Sequence, residues 1–310
     1  MSEKKATREA YGEALAEFGG QYDIIVLDAD LSKSTKTDTF KKKYPERFIN
    51  CGIAEGNMMA VAAGIASTGK IVFASTFAMF AAGRAFEQIR NSIAYPGLNV
   101  KIGATHAGIS IGEDGASHQS VEDISLMRTI PNMVVISPAD AFESRGAVLA
   151  AIKHNGPVYL RFGRLAVPYI NDSSYKFELG KGVTLREGSD ITIIATGLMV
   201  KQALDAGEVL AGEGINARVI NIHTIKPIDK EIIIKAARET GAIVTAEEHS
   251  IYGGLGSAVA EVISENCPVK MKRVGINDKF GKSGKPLPLL EEYGLTAENI
   301  AVNARKLLNK

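Results

Sequence analysis

Cysteine, net charge and long apolar runs are all scarce in this sequence, and each scarcity removes a class of protein. Only two cysteines occur in 310 residues, Cys51 and Cys267, one in each half. That argues against a disulfide framework and for a reducing compartment. The 36 basic and 35 acidic side chains nearly cancel, leaving a net charge of +1, so neither a nucleic-acid face nor a membrane-binding face is indicated. No run is long and apolar enough to span a bilayer. The first residues, MSEKKATREAYGEAL, are charged and lack the apolar centre of a signal peptide. The expectation is a soluble cytoplasmic protein.

What is present is rhythm. Apolar residues make up 45% of the chain, enough for real cores, and the length suits about two domains of roughly 150 residues. DIIVLDAD (Asp23–Asp30), KIVFAST (Lys70–Thr76), NVKIGATH (Asn99–His106), MVVISPAD (Met133–Asp140) and PVYLRFG (Pro157–Gly163) read as buried strands. EGNMMAVAAGIASTG and DAFESRGAVLAAIKHNG read as helices ending at glycine. Alternation of this kind predicts an α/β fold with a parallel sheet covered on both faces. A polar, turn-rich stretch after Val167 reads as a linker. The rhythm then resumes with DITIIATG, NARVINIHTIKPID, AIVTAEEHS and PVKMKRVGIND, a second and smaller α/β domain. It closes on a helix for which Thr296 is the expected N-cap. The predicted division is 1–168, linker 169–182, and 183–310.

Glu55 is the only charge in INCGIAEGNMMAVAAGIA. A glutamate at a helix start needs no function, yet a carboxylate in an apolar site is also suited to acid–base work. Phe77 and Phe80 could be core, or a wall against which a planar ring stacks. Arg84 and Arg90 follow them and read as solvated or ion-paired. THAGISIGEDGASHQSVED, residues 105–123, holds two histidines, three glycines and four acids. His106, Glu113, Asp114 and His118 match no known metal spacing. A bland, flexible surface loop and a substrate loop both remain open. The second gains weight because ligands bind beyond the C-terminal ends of parallel strands, where histidine and carboxylate can bind hydroxyls and carry protons. Arg8, Ser34 and Arg164 could together hold a phosphate. YGGLGSAVAE (Tyr252–Glu261) fits no dinucleotide or Walker pattern; a tight turn explains its glycines as well as a phosphate role does.

Taken together, ATREAYGEAL, FINCGIAEGNMMAVAAGIA, STFAMF, HAGISIGEDGASHQSVEDISLMRTIPN, HTIKPID and SGKPLPLLEEYGL resemble, in order, the C-terminal part of transketolase. The sequence holds no GDG…N motif, so the chain looks like the C-terminal section of a split transketolase, a pyrimidine-binding domain followed by a C-terminal domain. The resemblance implies thiamine diphosphate as cofactor, with Mg2+ or Ca2+ held mainly by a partner chain, the transketolase N-terminal section, in an A2B2 heterotetramer. This chain would hold no metal of its own. The implied reaction moves a two-carbon ketol unit between sugar phosphates in carbohydrate metabolism such as the pentose phosphate pathway. By the same resemblance Glu55 pairs with N1′ of the cofactor, and Phe77 and Phe80 surround its pyrimidine. His106 and His118 contact substrate oxygens and aid proton transfer. Asp114 reads the hydroxyl beside the reacting carbon, and Arg8, Ser34 and Arg164 clamp the sugar phosphate. Past Phe80 the likeness needs a small insertion, which leaves Gly83 and Arg84 without a role. The layout also occurs in 1-deoxy-D-xylulose-5-phosphate synthase and in the beta chain of 2-oxoacid dehydrogenases. A non-catalytic assembly partner that has kept the fold is a further alternative.

Overall fold

The computed structural model describes residues 3–309. The five apolar runs of the first half form adjacent parallel strands. In spatial order these are Val134–Ile136, Val158–Arg161, Val100–Thr105, Ile71–Phe77 and Ile24–Asp28, with Phe48–Asn50 at the edge. Their side chains are buried on both faces by separate apolar clusters, which is why the strands read as continuous apolar runs rather than alternating ones. Glu55–Ala66 and Ala141–Lys153 are helical as expected. Asp140 caps the second by accepting from the Glu143 amide at 2.9 Å.

The second half forms a five-stranded sheet in the order Lys270–Ile276, Ala242–Ser250, Ile191–Ala195, Ala217–Asn221, Val183–Arg186, with only the last pairing antiparallel. Its final helix, Ala297–Leu308, is capped by Thr296, whose hydroxyl accepts from the Asn299 amide at 3.2 Å. NARVINIHTIKPID does not stay wholly within the second sheet. Ala217–Asn221 stays in that sheet, but Thr224–Lys226 crosses over and pairs antiparallel with Val134–Ile136. The second half thus supplies the edge strand of the first sheet.

A buried polar cluster ties the halves together. The Arg161 guanidinium donates to Asp123 at 2.8 and 3.2 Å and to the Glu248 carbonyl at 2.9 Å, and Tyr159 donates to Asp123 at 2.9 Å. Both members of the ion pair are buried. Removing one partner strands the other charge, so Asp123→Ala is expected to cost about 3–5 kcal/mol in urea unfolding. The exposed Lys70–Asp23 pair should contribute under about 1 kcal/mol. A loss at Asp123 no greater than at Asp23 would show that the cluster is not what joins the halves.

The glycine-rich entry at Tyr252–Glu261 is structural. The first amides of the helix Leu255–Asn266 donate, from Leu255 and Gly256, to the Glu247 carboxylate at 2.7 Å each. The helix N-terminus is satisfied by the chain's own carboxylate.

Candidate active site

The C-terminal ends of three neighbouring strands set the site. Ile24–Asp28 ends in a buried carboxylate that accepts from the Leu31 amide and from the Thr35 and Thr37 hydroxyls, at 2.6, 2.7 and 2.9 Å. These bonds fix the turn that carries Ser34. Ile71–Phe77 ends on Phe77, and Val100–Thr105 delivers His106 at its end.

From these ends a continuous row of contacts can be followed. The His106 ring stacks on Phe77, with centroids 3.9 Å apart. Phe77 lies nearly parallel to Phe80, at 5.8 Å and 13°. His118 stands edge-on to both, at 6.3 and 5.2 Å. The Arg84 guanidinium lies 4.4 Å over the Phe80 ring and donates to Glu55 Oε2 at 2.8 Å. Glu55 opens its helix as the macrodipole favours, and it is also 2% exposed.

At the other end of the row, Arg8 Nη1 donates to His106 Nε2 at 3.2 Å and to the Ser34 carbonyl at 2.7 Å. Arginine has no acceptor, so Nε2 of His106 accepts, which places the ring proton on Nδ1, facing the Thr105 hydroxyl at 2.9 Å. Burial, followed by the charges of Arg8, Arg164 and Lys36, pushes the His106 pKa down to about 3. The ring is therefore neutral and its tautomer is set by its neighbours. A histidine depressed on folding loses nothing above its ordinary value of about 6.5 and weakens the fold as pH drops from there towards 3. His106→Gln is expected to flatten part of that acid loss, read as urea midpoints between pH 7 and 4. An unchanged pH slope would count against a buried neutral ring.

The loop at 105–123 is not the mobile surface turn its glycines suggest. Residues 106–112 are buried, and only 113, 114, 116, 117 and 122 are well exposed. The second half pins it. Glu248 accepts from the Ser110 amide at 2.6 Å, and Gln119 donates to the Ile109 and Lys282 carbonyls at 3.1 and 2.9 Å. Gly108, at φ 82°, passes so close to the Glu248 carboxylate that an added Cβ would lie 2.3 Å from it; only glycine fits there.

The remaining candidates lie on this rim. Arg164 donates to the Ile111 carbonyl and to Glu113, the latter at 3.2 Å. It is near enough to Arg8 to help burial lower the Arg8 pKa. Ser34 engages Arg8 through its carbonyl rather than its hydroxyl. Asp114 stands exposed on the loop and is not drawn into the row. Residues that sequence reasoning passed over are Asp28, Thr105, Asp123, Arg161 and Glu248. The signal for Asp28, Thr105 and Arg161 was a polar or charged side chain in a strand's apolar run; Asp123 and Glu248 sit among other polar residues and gave none.

The segment after Phe77 also departs from the regular helix expected there. Phe80–Arg84 and Ile89–Ala94 are π-helical, with a short α-turn between them. π-turns often mark functional sites, and the first of these ends on Arg84, whose guanidinium reaches Glu55. No cluster of three or more His, Cys, Asp or Glu side chains able to hold a metal occurs among the described residues. A stacked aromatic pair beside a buried carboxylate does fit a flat, nitrogen-bearing ring.

Known proteins resemble this chain in sequence and in fold. The transketolase pyrimidine-binding domain family matches residues 3–169, and the transketolase C-terminal domain family matches residues 180–300. A Methanocaldococcus jannaschii protein named for a transketolase C-terminal section is 54% identical over 99% of this chain and 97% of its own length. The 6-deoxy-6-sulfo-D-fructose transketolase subunit SqwH of Clostridium sp. is 46% identical over 98% and 94%. A solved structure named as a split gene transketolase, inactive beta4 tetramer, superposes with TM-score 0.92 at 58% identity, covering 98% of both chains. With both domain families in order and relatives of matching length, the chain belongs to the transketolase family, whose members use thiamine diphosphate with a divalent metal.

Proposed function

We propose that the chain is the C-terminal half of a split transketolase. Its division would be a pyrimidine-binding domain to residue 168, a linker at 169–182, and a C-terminal domain from 183. The observation that carries the reading is the row Glu55–Arg84–Phe80–Phe77–His106–Arg8 along the C-terminal edge of the sheet. Thiamine diphosphate, when bound, supplies the carbon that carries a two-carbon ketol unit from one sugar to another. Phe77 and Phe80 would flank its pyrimidine, and Glu55 would hold a proton at N1′. The metal and diphosphate would be held mainly by the N-terminal half, a separate partner chain, in an A2B2 assembly in the cytoplasm.

His106 and His118 face the same aromatic wall and would contact the substrate's oxygens. His106, neutral and bonded to Arg8, works there as a fixed hydrogen-bonding group, which leaves His118 better placed to move a proton. Arg8 and Arg164 would clamp the sugar phosphate. Arg8 Nε is buried with no partner among the described residues, and an anion is what such a donor lacks. Ser34 would complete the clamp through its hydroxyl, and Asp114 would read a hydroxyl beside the reacting carbon. Pentose phosphates are one substrate class. Because a 46% identical relative is named for a sulfonated fructose, any ketose with a terminal anion belongs in the screen.

The test is a donor comparison in the complex reconstituted with its partner. Arg164→Ala is expected to lose roughly tenfold or more in kcat/KM on a phosphorylated ketose, since a charge-assisted bond is worth about 1.5–3 kcal/mol. It should lose little on hydroxypyruvate. Asp114→Ala should instead weaken discrimination against a deoxy analogue. Equal losses on all donors in the first variant, with hydroxyl preference intact in the second, would remove both assignments.

A further inference from the structure

Arg84 sits where the pyrimidine of the proposed cofactor would go. Two requirements define that place: a planar group stacked on the Phe77–Phe80 wall, and an N–H or protonated nitrogen presented to Glu55. The Arg84 guanidinium meets both. It is planar, lies 4.4 Å over Phe80, and donates to Glu55 Oε2 at 2.8 Å. Guanidinium groups stack on aromatic faces and pair with carboxylates, the same two contacts an aminopyrimidine would use. Its side chain is also 52% exposed while Glu55 is 2% exposed. The contact therefore lies at the protein surface on the Arg84 side, and only the carboxylate is buried. Arg84 is the last residue of the π-turn Phe80–Arg84, the same turn that carries Phe80.

We propose that Arg84 is a stand-in for the cofactor's aminopyrimidine, filling the ring slot and neutralising Glu55 until the ring displaces it. This rests on the pyrimidine-site reading above. Without Arg84, the chain would keep a buried carboxylate with no counter-charge beside an open aromatic surface. The stand-in meets that need, and it means that ring binding must break an existing contact. Apparent affinity is then lowered by the fraction of chains in which the slot is taken. Since Arg84 is half exposed and screened, the competing contact is weak, and removing it should tighten binding only about fivefold. Arg84 acts through Glu55 and is a positioning residue.

The test uses the isolated full chain and the pyrimidine half of the cofactor, 4-amino-5-hydroxymethyl-2-methylpyrimidine, titrated at millimolar concentration by NMR with arginine labelled. In the free protein the Arg84 side-chain protons should be shifted upfield by the Phe80 ring, and saturation with the pyrimidine should abolish that shift. Arg84→Ala should bind about fivefold more tightly than wild type. Arg84→Lys, which keeps the charge but not the plane, should fall between them. Glu55→Gln should weaken binding in either background. Equal or weaker binding by Arg84→Ala, with the Glu55→Gln loss preserved, would overturn the stand-in and leave the pyrimidine site intact. No binding by any variant, or binding indifferent to Glu55, would overturn both.

Discussion

Glu55→Gln is expected to slow exchange of the thiazolium C2 proton in the assembled complex by about 10² to 10⁴-fold, with little change in fold stability. The substitution keeps the shape and the helix-start position but removes the charge. Proton-transfer and electrostatic contributions from one positioned group are of that size, whereas a helix-dipole interaction at an exposed N-terminus is worth only about 0.3–1 kcal/mol. The two readings of Glu55 therefore differ by orders of magnitude in rate and can be separated. Burial strengthens the expectation. At 2% exposure the carboxylate meets one donor among the described residues, Arg84, so a ring nitrogen would find an acceptor that water does not screen. Exchange is a better readout than turnover because it reports the activation step before any sugar is involved. Exchange at the wild-type rate in the variant would leave Glu55 as a helix-start residue and nothing more.

Much of this was legible in the sequence because parallel strands covered on both faces are apolar throughout. DIIVLDAD and KIVFAST could hardly be anything else. The strand Thr224–Lys226 was not legible. Its three residues carry no pattern of their own, and their pairing with Val134–Ile136 is decided by how the two halves pack. The loop at 105–123 misled in a different way. Three glycines suggest mobility, but at Gly108 glycine is required because the Glu248 carboxylate comes so close, and Glu248 lies far along the chain. Arg161 inside VYLRF was visible as a charge in apolar surroundings, yet nothing local says that it pairs with Asp123. Arg84 shows the limit most clearly. An insertion could be seen, but not that the segment would form π-turns or that Arg84, at the end of one, would reach Glu55.

The purified chain, supplied with thiamine diphosphate and magnesium, is expected to transfer no ketol groups, and activity should appear only when the chain carrying the N-terminal half is added. In the proposed reading this chain would supply the ring wall, the carboxylate and the cationic sugar clamp, and among the described residues no group of three or more His, Cys, Asp or Glu could hold a metal ion. A magnesium-bound diphosphate brings several charges that must be met by oxygen ligands in near-octahedral geometry, which the partner chain would provide. The surface points the same way. Ile53, two residues before Glu55, is 79% exposed, and the Arg84 side chain is half exposed; an exposed apolar side chain beside these charges suits a face that another chain covers. A solved structure 58% identical to this chain is named a split gene transketolase, inactive beta4 tetramer. Co-purification should identify the partner, and mixing the two should shift the mass to that of a mixed assembly as activity rises. Activity that saturates at one partner per chain would support the A2B2 assembly. Ketol transfer by the chain alone, at a rate comparable with the mixture, would mean that the diphosphate and its metal are held by residues assigned here to other roles.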